Sequence, residues 1–187
     1  MKKIGVIVGS LRKGSFNLKM AKVLMALAPQ SLSFEIIEIG NLPFYNEDLE
    51  ANPPQAWTEF RQHVMEIDGV LFVTPEYNRS MPAAIKNAVD VGTRPYGKNV
   101  WDGKPGGIVS VSTGSMGAFG ANHQLRQALV WPNVLTMQQP EAYIGKAGNL
   151  FNENNELASD SVKEYAAKYM HAFAEWVERN TQGINRK

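Results

Sequence analysis

Ile4-Gly5-Val6-Ile7-Val8-Gly9-Ser10-Leu11-Arg12-Lys13-Gly14-Ser15-Phe16-Asn17 decides how the chain is read. Ile4 to Val8 is a β-branched run ending at Gly9, as expected of a strand buried on both faces. Gly9 to Ser15 is rich in turn formers. From Phe16 to Ala28 apolar residues recur at helical spacing, with Leu18, Ala21, Leu24, Met25 and Ala28 on one face, and Pro29 stops the helix. Strand, polar turn and amphipathic helix in that order form the start of a βα unit.

The same alternation extends outward. A second strand is expected over Phe34–Ile39, then a long loop over Asn41–Gln55 holding Pro43, Pro53 and Pro54, and a helix over Trp57–Met65. A third strand, Val70–Val73, leads through the loop Pro75–Ser80 to a helix over Pro82–Val91, whose first-turn proline lacks an N–H that would be unpaired anyway. A fourth strand, Ile108–Val111, leads through Ser112–Gly117 to a helix over Ala121–Val130. A short fifth strand, Val134–Met137, a polar loop over Asn149–Ser159 and a long amphipathic helix over Val162–Arg179 close the chain. Five strands alternating with five helices predict an α/β fold, a doubly wound parallel sheet covered on both faces. Ligands of such sheets bind beyond the carboxyl ends of the strands, where strand order reverses. Residues 9–17, 75–80 and 112–117 each follow a strand, so all three loops are expected on that one edge.

Composition narrows the classes. The 187 residues suit one domain over 1–187, long enough to bury roughly 70 % of the unfolded surface. With 19 basic and 18 acidic side chains the formal charge is +1, which argues against a general nucleic-acid or acidic-membrane binder. Apolar runs such as Gly69–Val73 fall far short of the ~20 residues of a membrane span. Gly5, Gly9, Ser10 and Arg12 break the N-terminal stretch too early for a signal peptide, so a soluble cytoplasmic protein is the expectation. The absence of cysteine removes disulfides, thiolate metal sites and a cysteine nucleophile.

The first loop is crowded with small donors. Gly9, Ser10, Gly14, Ser15 and Asn17 accompany Arg12 at the start of a helix, where free N–H groups and the positive end of the dipole favour an anion. A plain strand–helix turn with a Ser or Asn cap is the simpler reading. The number of donors within eight residues favours a phosphate. Gly9-x4-Gly14 starts like a Walker A loop, but Ser15 stands in place of the lysine, and Gly-x-Gly-x-x-Gly is absent. A mononucleotide therefore fits better than a nucleoside triphosphate or a dinucleotide. In the second loop, Pro75-Glu76-Tyr77-Asn78 joins a rigid bend to an aromatic ring and an amide, groups that suit the polar edge of a flat heterocycle. The third, Ser112-Thr113-Gly114-Ser115-Met116-Gly117, lets backbone approach a ligand closely, though it would serve equally as a turn.

Taken together, Gly9–Asn17, Pro75–Ser80 with Pro82 and Ile85–Asp90, Gly103-Lys104-Pro105, the Ser112–Gly117 loop and Leu125-Arg126 resemble the NADPH-dependent FMN reductase family of flavodoxin-like proteins, which includes quinone, chromate and azo-dye reductases. The resemblance covers most of the chain to about residue 130. It implies a sheet ordered 2-1-3-4-5 and bound FMN, with the phosphate on Ser10, Arg12, Ser15, Phe16 and Asn17. The ring would lie between Pro75, Glu76, Tyr77 and Asn78 on one side and Ser112, Thr113, Gly114 and Ser115 on the other. It also implies NADPH or NADH as donor, a small-molecule acceptor and a homodimer or homotetramer. Relatives carry tryptophan after an Asn-Ala-Ile-Asp stretch, whereas Val91–Gly97 follows Asp90 here, leaving the acceptor range and the nearby subunit contact open.

The remaining candidates carry less. Thr113 replaces the first glycine of Gly-x-Ser-x-Gly around Ser115, so a nucleophile elbow fails. His63, His123 and His171 show no metal or triad spacing; His63 and His171 read as partly exposed helix residues, and His123 starts a helix near the third loop. Trp131-Pro132 reads as core or interface, and Lys86–Asp90 as a solvated helix face with a capping or inter-subunit role. Glu76 either bonds a nearby N–H or pairs with a base on a neighbouring subunit. The expected activity is a ping-pong flavin oxidoreductase delivering hydride to a quinone, azo dye or metal oxyanion, with no protein acid–base catalyst. Alternatives are a flavodoxin-type electron carrier or a flavin-binding regulator. Carriers are strongly acidic, and the +1 charge favours the enzyme.

Overall fold

In a computed structural model, which describes residues 1–181, six parallel strands form one sheet. The expected single domain over 1–187 includes residues 182–187, which lie outside this description. The strands are β1 (Lys2–Val8), β2 (Leu32–Ile36), β3 (Gly69–Thr74), β4 (Pro105–Val111), β5 (Leu135–Thr136) and β6 (Ala142–Ile144). The helices are α1 (Phe16–Leu27), α2 (Gln55–Glu66), α3 (Ala83–Thr93), α4 (Phe119–Ala128) and α5 (Asp160–Thr181). The order β2-β1-β3-β4-β5 is the flavodoxin-like order expected from the sequence.

Alternation along the central strands separates two cores. Ile4, Val6, Val8, Leu71, Val73, Val109 and Val111 face α1 and α5. Ile7, Val70, Phe72 and Ile108 face the opposite layer of α2, α3 and α4. The centre of the sheet is thus apolar on both sides, which is why β1, β3 and β4 read as unbroken hydrophobic runs.

Several strand expectations need correction: β1 begins at Lys2 and β4 at Pro105, two and three residues before the expected Ile4 and Ile108. The β2 ladder runs from Lys2↔Leu32 to Val6↔Ile36, starting two residues and ending three residues earlier than the apolar pattern suggested. Ile37 and Ile39 are buried all the same, because the chain leaves the ladder to pack them with Trp57 and Phe60 of α2. The edge beyond β4 is divided: β5 pairs with Pro105 and Gly106, and β6, which the sequence reading missed, pairs with Val109–Val111. Three residues between Glu141 and Gly145 are too few to show a period.

The long 41–55 loop is tied down rather than free. Buried Asn87 on α3 accepts from the Tyr45 N–H at 2.8 Å and donates to the Leu42 and Pro43 carbonyls at 3.1 Å. Arg94, just past α3, pairs with Glu50 at 2.7 Å and Glu47 at 3.1 Å. Lys86 and Asp90 bridge one turn apart on the outer face of the same helix, as a solvated face requires. Among the described residues, no helix is long and apolar enough to cross a membrane.

Candidate functional site

The three expected loops leave the carboxyl ends of β1, β3 and β4, neighbouring strands either side of the point where strand order reverses. Gly9 starts the first. Its N–H donates to the Val73 carbonyl at 2.9 Å, and a Cβ there would meet Ile85 Cδ1 at 2.5 Å and Pro75 Cδ at 3.1 Å. The first loop is therefore pressed against the second loop and α3. Ser15, 2 % exposed, caps α1 by accepting from the Leu18 N–H at 3.3 Å. The earlier N–H groups of that helix have no intrahelical acceptor. Arg12 is exposed, donates to the Gly14 carbonyl at 3.4 Å and lies 5.4 Å from the Phe16 ring centroid. Ser10 is half-buried beside them.

Asn17 ties the first loop to the third. Only 5 % exposed, it donates to the Val111 carbonyl at 3.4 Å, while its Oδ1 is buried and has no partner among the described residues. An unpaired buried acceptor costs stability unless something supplies a donor. Free helix N–H groups, the Ser10 hydroxyl, the Arg12 guanidinium and this open amide make a cradle whose chemistry suits a phosphate and the hydroxyls next to it.

The second loop closes on itself. Tyr77 and Ser80 exchange backbone bonds of 2.9 and 3.0 Å around Asn78 and Arg79, whose φ values of 52° and 65° make the tight turn. Tyr77 is 50 % exposed. Pro75 is buried, its carbonyl accepting from Thr74 Oγ1 at 2.8 Å. Glu76 does bond a backbone N–H, one close in space but distant in sequence: its Oε2 accepts from the Ala121 N–H in the first turn of α4 at 3.1 Å, and its Oε1 lies 3.6 Å from Arg79. A carboxylate at a helix N-terminus is favoured by the dipole. Gln124 adds a link the sequence reading missed, accepting from the Met81 N–H at 3.2 Å and from the Ser80 hydroxyl. Contacts spanning more than forty residues leave no local signal.

The third loop is held by β6 and the residues after it. Ser112 donates through its N–H to the Ile144 carbonyl at 2.9 Å, and Lys146 and Ala147 donate to Gly114 and Ser112, both at 3.0 Å. The Ser112 hydroxyl accepts from the Gly114 N–H at 3.0 Å, and Thr113, Gly114 and Ser115 remain exposed. Gly117, at φ 59°, lies so close to the Tyr143 backbone that a Cβ would meet its carbonyl carbon at 2.6 Å. Buried Ser110 donates to the Gly117 carbonyl at 2.7 Å and accepts from Asn122 at 3.2 Å.

His123 sits beside this loop, with Nε2 2.9 Å from the Tyr143 hydroxyl and its ring 4.3 Å from that of Phe119. Burial pushes the Tyr143 phenol up to about 12, with Glu141 adding to the effect. His63 and His171 are exposed on their helices, as expected. Among the described residues no group of three or more His, Cys, Asp and Glu could hold a metal ion.

Residues 2–149 match the NADPH-dependent FMN reductase family. A quinone reductase of Pseudomonas putida is 53 % identical over 178 residues, 95 % of each chain. A 2-hydroxy-1,4-benzoquinone reductase of a Burkholderia species is 42 % identical, covering 94 % of this chain and 96 % of the relative. The solved structure of FerB, a flavoenzyme NAD(P)H:(acceptor) oxidoreductase of Paracoccus denitrificans, superposes with a TM-score of 0.91 at 39 % identity, over 96 % of this chain and 99 % of that one. With its sheet order, its three-loop edge and the match over most of its length, the chain belongs to the NADPH-dependent FMN reductase family.

Proposed function

We propose that the chain is an FMN-dependent NAD(P)H oxidoreductase whose acceptor is a quinone. The observation that carries this reading is the meeting of three loops from β1, β3 and β4 around a donor-rich helix N-terminus and a buried, half-satisfied amide. Family membership supplies the cofactor and the donor; the names of the quinone-reducing relatives support the acceptor.

In this reading Ser10, Arg12, Ser15, Phe16 and Asn17 hold the phosphate end of FMN. Ser15 accepts the cap bond from Leu18 and its N–H donates to the Arg12 carbonyl at 3.2 Å, so its share falls to its hydroxyl proton. Pro75, Glu76, Tyr77 and Asn78 border one side of the ring and Ser112 to Ser115 the other. Glu76, engaged by Ala121 and Arg79, acts by fixing the second loop against α4. Bound FMN supplies a ring that accepts and releases hydride. The loops would position that ring, with half-exposed Tyr77 beside it. Donor and acceptor would use the same opening, so one would have to leave before the other enters. Azo dyes and metal oxyanions such as chromate meet the same requirement of access to that opening.

A homo-oligomer, dimer or tetramer, completes the proposal. Val130 and Trp131, 75 % and 80 % exposed, stand side by side past the end of α4, where an apolar pair suits an interface. The expected compartment is the cytoplasm. Initial-rate kinetics with NADPH and 1,4-benzoquinone test the reading: parallel double-reciprocal lines are expected, and intersecting lines, which require both substrates bound together, overturn the shared-opening scheme.

A further inference from the structure

A groove of about 720 Å³ runs along α1, on the side facing residues 155–163. It is continuous with the cradle, because Gly14 and Ser15 line its near end. Leu18, Val23 and Leu157 give it an apolar floor, and Lys19, Lys22 and Lys163 stand along it with Glu156 as the one carboxylate. Its volume falls within the ~300–1,000 Å³ of small-molecule sites.

The charges in this groove are unbalanced. None of the three lysines forms an ion pair among the described residues, and Glu156 is occupied by Asn152 at 3.0 Å. Helix α1 has no acidic residue in its first turn and no basic residue in its last, so neither end carries the charge a helix dipole favours. Lys19 and Lys22 are like charges three residues apart, which repel on one helix face. Lys19 is held in place by rings, 5.3 Å from the Phe16 centroid and 5.6 Å from that of Phe151. One phosphate in the cradle accounts for the charge at the start of α1. The Lys22 backbone lies about 9 Å further along the axis than that of Phe16, and Lys163 stands on a different helix.

We propose that this groove is a subsite for an adenosine 5′-phosphate group, with Lys22 and Lys163 on its phosphate and Leu18, Val23 and Leu157 against its base. The proposal rests on the FMN reading of the cradle. Such a group arrives in two ways: as the adenylate half of FAD, continuing from the cradle phosphate, or as the adenylate half of NADPH.

Isothermal titration of 5′-AMP into the FMN-loaded full chain tests it, with flavin absorbance recorded on the same samples. The expected result is saturable binding, tighter than that of inorganic phosphate, and weakened at least about tenfold by Lys22→Glu combined with Lys163→Glu. No binding to protein that holds its full FMN, binding that the double variant leaves intact, or equal binding of inorganic phosphate overturns the subsite while the cradle stands. Wild-type protein that fails to hold FMN overturns the cradle instead. Two arms separate the sources. Selective loss of FAD affinity over FMN affinity in the double variant assigns the groove to a dinucleotide flavin. A raised KM for NADPH with unchanged FAD affinity assigns it to the donor. A double variant that changes neither overturns the assignment.

Discussion

Replacing Gly117 by alanine, with Gly114→Ala as its partner in the same loop, tests whether β6 shapes the third loop. Gly117 is left-handed at φ 59°, a conformation that costs an L-residue about 1–2 kcal/mol. The new Cβ would also meet the Tyr143 carbonyl carbon at 2.6 Å and the Ile144 nitrogen at 2.8 Å. These are backbone atoms of a paired strand and cannot rotate aside, so overpacking adds about 1–3 kcal/mol. A Cβ on Gly114 meets only Ser112 Oγ, at an ordinary 3.4 Å. There the reduced freedom of the unfolded chain is expected to stabilise by about 0.4–1 kcal/mol. Urea unfolding at unchanged m-value measures both. Gly117→Ala should lose about 2–5 kcal/mol, a large part of the ~5–15 kcal/mol of a typical domain. Its surviving folded fraction should bind FMN more weakly, because relief of the clash moves the loop away from β6. A Gly117→Ala protein within about 0.5 kcal/mol of wild type, or a Gly114→Ala protein equally damaged, would refute the reasoning.

Three further outcomes follow. Arg12→Ala should unfold at the wild-type urea midpoint, since Arg12 is exposed and makes one weak backbone bond, yet lose its flavin on dialysis; full retention of the yellow colour would remove Arg12 from the cradle. Stability should fall above about pH 10: Tyr143 keeps its proton up to about 12 when folded and to 10.0 when unfolded, so over that interval the unfolded chain binds fewer protons and is favoured as pH rises. Tyr143→Phe should remove part of that fall, and an identical decline in the variant would show that the phenol plays no part. Trp131→Glu should shift sedimentation toward the monomer without loss of helical circular dichroism; an unchanged sedimentation coefficient would take Trp131 out of the interface.

How much of this was visible in the sequence varied with the range of the interactions. α1 was legible almost to the residue and β1 in all but its first two residues, because a strand buried on both faces and a helix stopped by Pro29 are written in local composition. The three loops were legible as a group, since they leave neighbouring ends of one sheet. What local pattern cannot carry was missed or misread. β6 takes its existence from Val109–Val111, more than thirty residues earlier. Glu76 finds its partner at Ala121 and Asn87 its partners at residues 42–45, contacts set by how layers stack rather than by spacing. Asn87 lies within a stretch that reads as a solvated face. On one helix, Lys86 and Asp90 satisfy that reading and Asn87, turned inward, does not.

The central claim is that these loops hold FMN in a form that NAD(P)H reduces directly. Anaerobic stopped-flow mixing of the purified, flavin-loaded protein with NADPH or NADH, following the flavin absorption band, tests it most directly. The account predicts stoichiometric flavin, rapid bleaching by the nicotinamide alone and return of the colour when 1,4-benzoquinone is added. A protein that neither carries nor takes up FMN, or a flavin band that NADPH and NADH both leave unchanged, would contradict it.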